Sequence, residues 1–193
     1  MTALVLGLLI FLGVHSVRIV AEPWRTRMRA TRGEAAWKGM YSVASVVGFV
    51  LIIWGYGAAR LDPVALWAPL SWARHLASLL TLLAFVLLAA AYVPGNGIKA
   101  RVHHPMVLGV KVWAFAHLLA NHTLADLLLF GGFLAWSALS FRAARARDRA
   151  AGTVYPPGSM GRTMLAIALG VLAWAVFAFW AHGAWIGVRP FGR

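Results

Sequence analysis

Residues 103–122 read HHPMVLGVKVWAFAHLLANH. Proline suits the first turn of a helix, and from Pro105 to Asn121 the stretch reads as one apolar, lipid-embedded helix. Four of the seven histidines fall inside these twenty residues. An ionisable side chain in hydrocarbon is costly, and its default reading is functional. Gly109, Trp113 and His117 recur at i, i+4 and i+8, which sets them along one helical face. That row is compatible with a flat ligand such as haem lying against the helix. It is equally compatible with a packing seam holding one hydrogen-bonded histidine, and spacing alone does not separate the two.

The rest of the chain has the same character. Of 193 residues, 62% are hydrophobic and 12% charged, against about 25% charged in soluble domains. Apolar runs at Thr2–Val20, Gly39–Ala59, Trp72–Tyr92, Pro105–Asn121, Leu124–Phe141 and Thr163–Trp180 predict about six transmembrane helices. The fold class is all-α, a polytopic membrane helix bundle. It forms a single domain over residues 1–193, because the spans leave no room for a separate soluble unit. The first run carries no Lys or Arg in front of it and no small-residue cleavage site, so it reads as an uncleaved helix. Between the spans, residues 21–38 and 142–158 read as basic loops and 60–71 as a short interfacial turn. Pro94-Gly95-Asn96-Gly97 is a turn, and Thr123 with Asp126 forms a helix-capping pair.

The net charge of +13 does not indicate nucleic acid. The arginines cluster beside apolar segments, where topology and anionic headgroups account for them. With six spans, one face of the membrane carries only Arg60, Arg74, Arg189 and Arg193, and the remaining Lys and Arg, from Arg18 to Arg162, fall on the other. The positive-inside rule puts the basic loops in the cytoplasm and both termini on the periplasmic side of a bacterial inner membrane.

This topology sorts the histidines by depth. His15 lies about two turns from the basic surface, and His103 and His104 lie at it. His117, His122 and His182 lie toward the opposite surface. A six-coordinate haem takes two facing axial ligands. By depth alone His15 pairs with His104, and His117 with His182. His75, His103, His122 and His182 sit near the interfaces, where solvation or hydrogen bonding accounts for them; for His15 and His117 both readings stand. The absence of cysteine removes thiolate-ligated haem, iron–sulfur clusters and cysteine nucleophiles. No Ser-His-Asp set, paired carboxylates, phosphate loop or zinc signature can be assembled. No catalytic residue is assigned.

Three segments, VHSVR at 14–18, HHPMVLGVKVWAFAHLLANHTLADLLLFGGFLAW at 103–136 and AWIGVRPF at 184–191, together resemble the NnrU family of bacterial membrane proteins. The resemblance covers essentially the whole chain. It implies an association with denitrification, the reduction of nitrite and nitric oxide, and with its redox components. The family is similar in turn to the plant and cyanobacterial zeta-carotene isomerase, a membrane enzyme with haem b. Carried over by motif, the resemblance implies haem ligation by His15 and His117, with His104 as the histidine of the His-Pro pair. Trp113 would flank the ring, Gly109 would let it approach, and Arg18 or Lys111 would meet the propionates. The isomerase has a cysteine one residue after the motif tryptophan; here that position is Ala114. A haem-dependent isomerase of a carotenoid-like polyene and a non-enzymatic membrane assembly factor are the alternatives. HHPMVLG is also similar to the Arg-His-Pro-x-Tyr-x-Gly motif of isoprenylcysteine-type membrane methyltransferases, but the Arg and Tyr are missing, so this reading is minor.

Overall fold

The computed structural model describes residues 1–68, 70 and 72–191; Pro69, Ser71 and the Arg193 of the charge count lie outside the described residues. The chain is an all-α membrane bundle, with eight α-helices and one π-helix among the described residues. They are α1 (Thr2–Val20), α2 (Glu22–Arg32), α3 (Glu34–Ala59), α4 (Ala73–Tyr92), α5 (Gly97–Val102), α6 (Pro105–Ala120), α7 (Leu124–Ala150) and α8 (Met160–Val176), with the π-helix running on over Phe177–Ile186. Among the described residues five helices are long and apolar enough to cross a bilayer: α1, α3, α4, α7 and α8 together with the π-helix.

The fourth expected span is the exception. At 16 residues α6 is about 24 Å long, short of a full hydrocarbon thickness. His103, with φ +65°, ends α5 in a tight turn. There the His104 N–H bonds the Val102 carbonyl at 2.8 Å, an i to i+2 turn that an L-residue rarely adopts. At its other end α6 stops at Asn121. It is held between α4 and α7, with Met106 and Phe115 exposed on its outward face.

Two expected loops are helical instead. Residues 22–32 form α2, a basic amphipathic helix with Pro23 in its first turn. Gly33, at φ +83°, then turns the chain directly into α3, which starts at Glu34, ahead of the expected Gly39. Arg25 pairs with Glu22 at 2.8 Å, and Arg29 and Lys38 both pair with Glu34. These local ion pairs neutralise part of the charge that had suggested a loop. The basic run after Phe141 likewise continues α7 to Ala150. Charge at a helix end marks where lipid stops, and the helix itself continues into water.

In the membrane layer α3 packs on α1, α1 on α7, α7 on α6, α6 on α4 and α4 on α8. Hydrocarbon on both sides removes the usual drive to bury large side chains, so close contact between small residues sets the order. A Cβ on Gly55 would stand 2.2 Å from Leu4 N, and one on Gly7 2.6 Å from Ile52 N. Gly170 seats against Val86 and Gly109 against Ala84 in the same way. The buried set is rich in alanine, whereas Val43, Trp54 and Leu79 are roughly two-thirds exposed on outward faces.

Polar bonds close the ends of the layer. The 60–72 connection crosses the α6–α7 turn, where Leu66 N–H bonds His122 O and Leu124 N–H bonds Val64 O. Arg60, at the end of α3, donates to Ile186 O of the π-helix at 2.9 Å, which links the two outermost helices of the row. Leu4 shares a buried cluster with Ala59, so the start of α1 and the end of the π-helix lie on the same face. On the basic face Asn96, 1% exposed, donates to Ala90 O and caps α5 through Lys99 N–H.

Candidate functional site

Phe130, Phe133 and Trp136 recur at i, i+3 and i+6 on α7 and make an aromatic stripe between α1 and α6. His15 projects onto it from α1. Its ring stacks on Phe11 at 4.1 Å between centroids, with Tyr41 at 5.1 Å and Trp136 edge-on at 6.1 Å. His117 projects from α6. It stacks on Phe130 at 4.6 Å beside Trp113 at 5.0 Å. Phe133 links the two groups, 5.8 Å from Phe11 and 5.7 Å from Trp113.

The two imidazoles share one local geometry. His15 Nδ1 lies 2.7 Å from Phe11 O, and His117 Nδ1 lies 2.9 Å from Trp113 O. Each partner is the carbonyl one turn back, and a carbonyl only accepts, so the ring proton belongs on Nδ1 and the Nε2 lone pair is left available. This is the bond that orients a metal-ligating histidine in other proteins. Beside His15, the buried Trp136 Nε1–H has no acceptor among the described residues. An unsatisfied donor at membrane depth costs about 1–3 kcal/mol.

The end of the site away from the basic face is fixed by Asp126, which is 5% exposed. Tyr56 donates to its Oδ1 at 2.6 Å, and Thr123 donates to Oδ2 from both backbone N–H and hydroxyl. This is the expected capping pair, with a tyrosine from α3 added. Tyr56 also meets Phe130 edge-on, so the carboxylate braces the wall on which His117 lies.

The remaining candidates lie elsewhere. His104 donates from Nε2 to Asp148 Oδ2 at 2.7 Å, and Tyr155 donates to the same oxygen at 3.0 Å. His103 stacks on Tyr155 and accepts from Arg145 through Nδ1. These five residues form a separate polar cluster where α5, α6 and the end of α7 meet. His104 is edge-on to Phe141, about 8 Å further along α7 than Trp136 at 1.5 Å per residue. His182 bonds Val188 O in the chain that returns over the π-helix. Gly109 faces α4, with Ala84 O 3.1 Å from where a Cβ would be. Lys111 lines a cleft between α4, α6 and α7, and Arg18 is directed at Glu22, 3.9 Å away. The structure therefore brings His15 and Trp113 to one aromatic face with His117, while Gly109, Arg18, Lys111 and His104 lie off it. Tyr56 and Trp136 of the site, and Arg145, Asp148 and Tyr155 of the separate polar cluster, are not singled out by any motif in the sequence. The Phe130, Phe133, Trp136 period was the one available signal.

Among the described residues, no group of three His, Cys, Asp or Glu side chains could hold a metal ion. Two imidazoles with free Nε2 atoms against carbon-rich walls suit a metal already held by another ligand frame, as in haem. The family model described as "NnrU protein" matches residues 3–190. No curated protein and no solved structure matches the chain.

Proposed function

The chain belongs to the NnrU family, and we propose that it is a haem-b-binding membrane protein serving the reduction of nitrite and nitric oxide. The basic face would lie in the cytoplasm of a bacterial inner membrane. The observation that carries this reading is the paired geometry of His15 and His117. Both are half-buried within membrane helices, both have Nδ1 tied to the carbonyl one turn back, and both leave Nε2 free along one aromatic stripe. Among the described residues, neither Nε2 is a buried atom left without a partner, so each is within reach of a ligand.

The donor set fits an iron porphyrin. His15 and His117 would hold the iron through Nε2, Trp113 and Phe130 would line the site, and the orphan Trp136 N–H would meet a carboxylate or other acceptor on the ligand. The iron would supply one-electron chemistry at a potential tuned by the residues that hold it and by the carbon-rich surroundings. Phe133 touches both the Phe11 beside His15 and the Trp113 beside His117, and these rings would have to part for one iron to take both imidazoles. The protein's own part is orientation: the backbone bonds fix each tautomer, and Asp126 and Tyr56 hold the wall behind His117.

The test is the visible spectrum and haem content of protein purified after expression with ample haem supply. The expected result is a haem b Soret band that is lost or shifted in His15→Ala and His117→Ala but kept in His182→Ala. No Soret band in the wild-type protein would reject the proposal. For the physiological half, a deletion strain should accumulate nitrite or nitric oxide, and the two ligand variants should fail to complement it. Full complementation by both would reject the role in nitrogen-oxide reduction.

A further inference from the structure

The face of α7 turned away from the histidines carries a second feature. Gly131, Ala135 and Ala138 form the floor of a cleft of about 550 Å³ whose lining is almost entirely carbon, walled by α4 and α6. A volume of that order is typical of sites for small lipophilic molecules. Lys111 of α6 lines it, with Phe115 toward the bilayer centre. Lys111 lies six residues before His117, about 120° around α6 from it, so this cleft is separate from the aromatic site. No histidine lines it.

A lysine at this depth is costly unless its ammonium reaches an anion or the surface. Among the described residues no carboxylate lies within ion-pair distance of Lys111 or of Arg142. Arg142 is one turn beyond Ala138 on the same face of α7, exposed where the helix leaves the apolar region. The arrangement is a carbon trough, open to the bilayer, with two unpaired cations at its basic end. Other cations of that face, Arg25, Arg29 and Lys38, are already paired with glutamates.

We propose that the α4–α6–α7 cleft holds one acyl chain of an anionic phospholipid from the leaflet on the basic side, with its phosphate between Lys111 and Arg142. The chain fills the trough over Gly131, Ala135 and Ala138, and the aliphatic stem of Lys111 lies along it. A zwitterionic lipid presents the same phosphate with a cation attached, so the two protein charges select for net negative headgroups. The bound lipid would also supply packing for α6, the helix too short to span the bilayer alone.

The test is native mass spectrometry of the full chain released from detergent, titrated with phosphatidylglycerol, phosphatidylcholine and oleate of matched chain length. The expected result is one phosphatidylglycerol retained in preference to phosphatidylcholine. A cation near the bilayer surface is worth about five-fold in affinity for an anionic lipid, so K111Q/R142Q should reduce the preference by about 25-fold. K111R/R142K keeps both charges and should retain the preference, which separates loss of charge from misfolding. A135L fills the trough and should remove the adduct while leaving both cations in place. Equal retention of the two phospholipids, preferential retention of oleate alone, an unchanged preference in K111Q/R142Q, or an adduct that survives A135L would each overturn the proposal.

Discussion

Gly55→Ala tests the packing that sets the order of the helices. A methyl group on Gly55 would lie 2.2 Å from Leu4 N and 2.7 Å from Ala3 C and Leu4 Cα, all of them backbone atoms. No side-chain rotation can relieve such contacts, so α1 has to move away from α3 by about 1 Å to restore van der Waals distance. Gly48 seats against the backbone of Phe11 and Gly7 against Ile52 along the same interface, so the helices separate along its whole length. Overpacking of this kind costs about 1–3 kcal/mol, and alanine's better helix propensity offsets about 1 kcal/mol. The upper end of the cost applies because the obstacle is backbone, giving a net loss of about 2 kcal/mol. Gly57, two residues further on, would meet nothing within 4 Å if it carried a Cβ. Gly57→Ala should therefore be neutral or stabilise by about 0.5–1 kcal/mol. Thermal unfolding of the two variants in one detergent, followed by loss of the monodisperse peak, measures the difference. If Gly55→Ala proves as stable as Gly57→Ala, close glycine packing does not hold α1 to α3, and the argument for the order of the row fails.

Two further perturbations address the polar anchors. Tyr56→Phe leaves Asp126 Oδ1 buried without its donor, which should cost about 1–3 kcal/mol; the same thermal assay checks it, and Tyr92→Phe at an exposed position serves as the neutral comparison. Tyr155 lies outside the membrane-spanning segments, and burial, then its bond to Asp148, holds its phenol above the ordinary value. Because the folded-state value is raised, the contribution of the neutral phenol is complete below about pH 10 and is lost as pH rises through the raised value. Difference absorbance against Tyr155→Phe should show this phenol ionising later than a free tyrosine, and Asp148→Asn should bring it back down; identical titration with and without the carboxylate would contradict the assignment.

The membrane class and the helices were legible because they depend on composition over long windows, which a bilayer constrains strongly. Boundaries were legible where chemistry punctuates the backbone, as at Thr123 with Asp126. They were not legible where charge was taken to mean loop. Within and beside residues 22–32, Glu22 and Glu34 pair with neighbouring cations at helical spacing or across Gly33, and net charge alone hides such pairs. The tight turn at His103 was also hidden, since a histidine at positive φ carries no sequence signature.

The candidate site divides along the same line. His15 and His117 could be named because an imidazole in an apolar run is rare enough to stand out. Their partners could not, because the elements that supply them are chosen by contacts distant in sequence: Trp136 reaches His15 only because α7 lies beside α1, and Tyr56 reaches Asp126 across seventy residues. The face of a helix, however, follows from its period. Lys111, six residues before His117, must point elsewhere on an unbroken helix, and the structure places it in the cleft on the other side. Two ligand-like features about 120° apart on α6 therefore share one short helix held by its neighbours. Any displacement of α6 that opens the rings around Trp113 must also change the trough at Lys111, so occupancy of the two faces is expected to be coupled rather than independent.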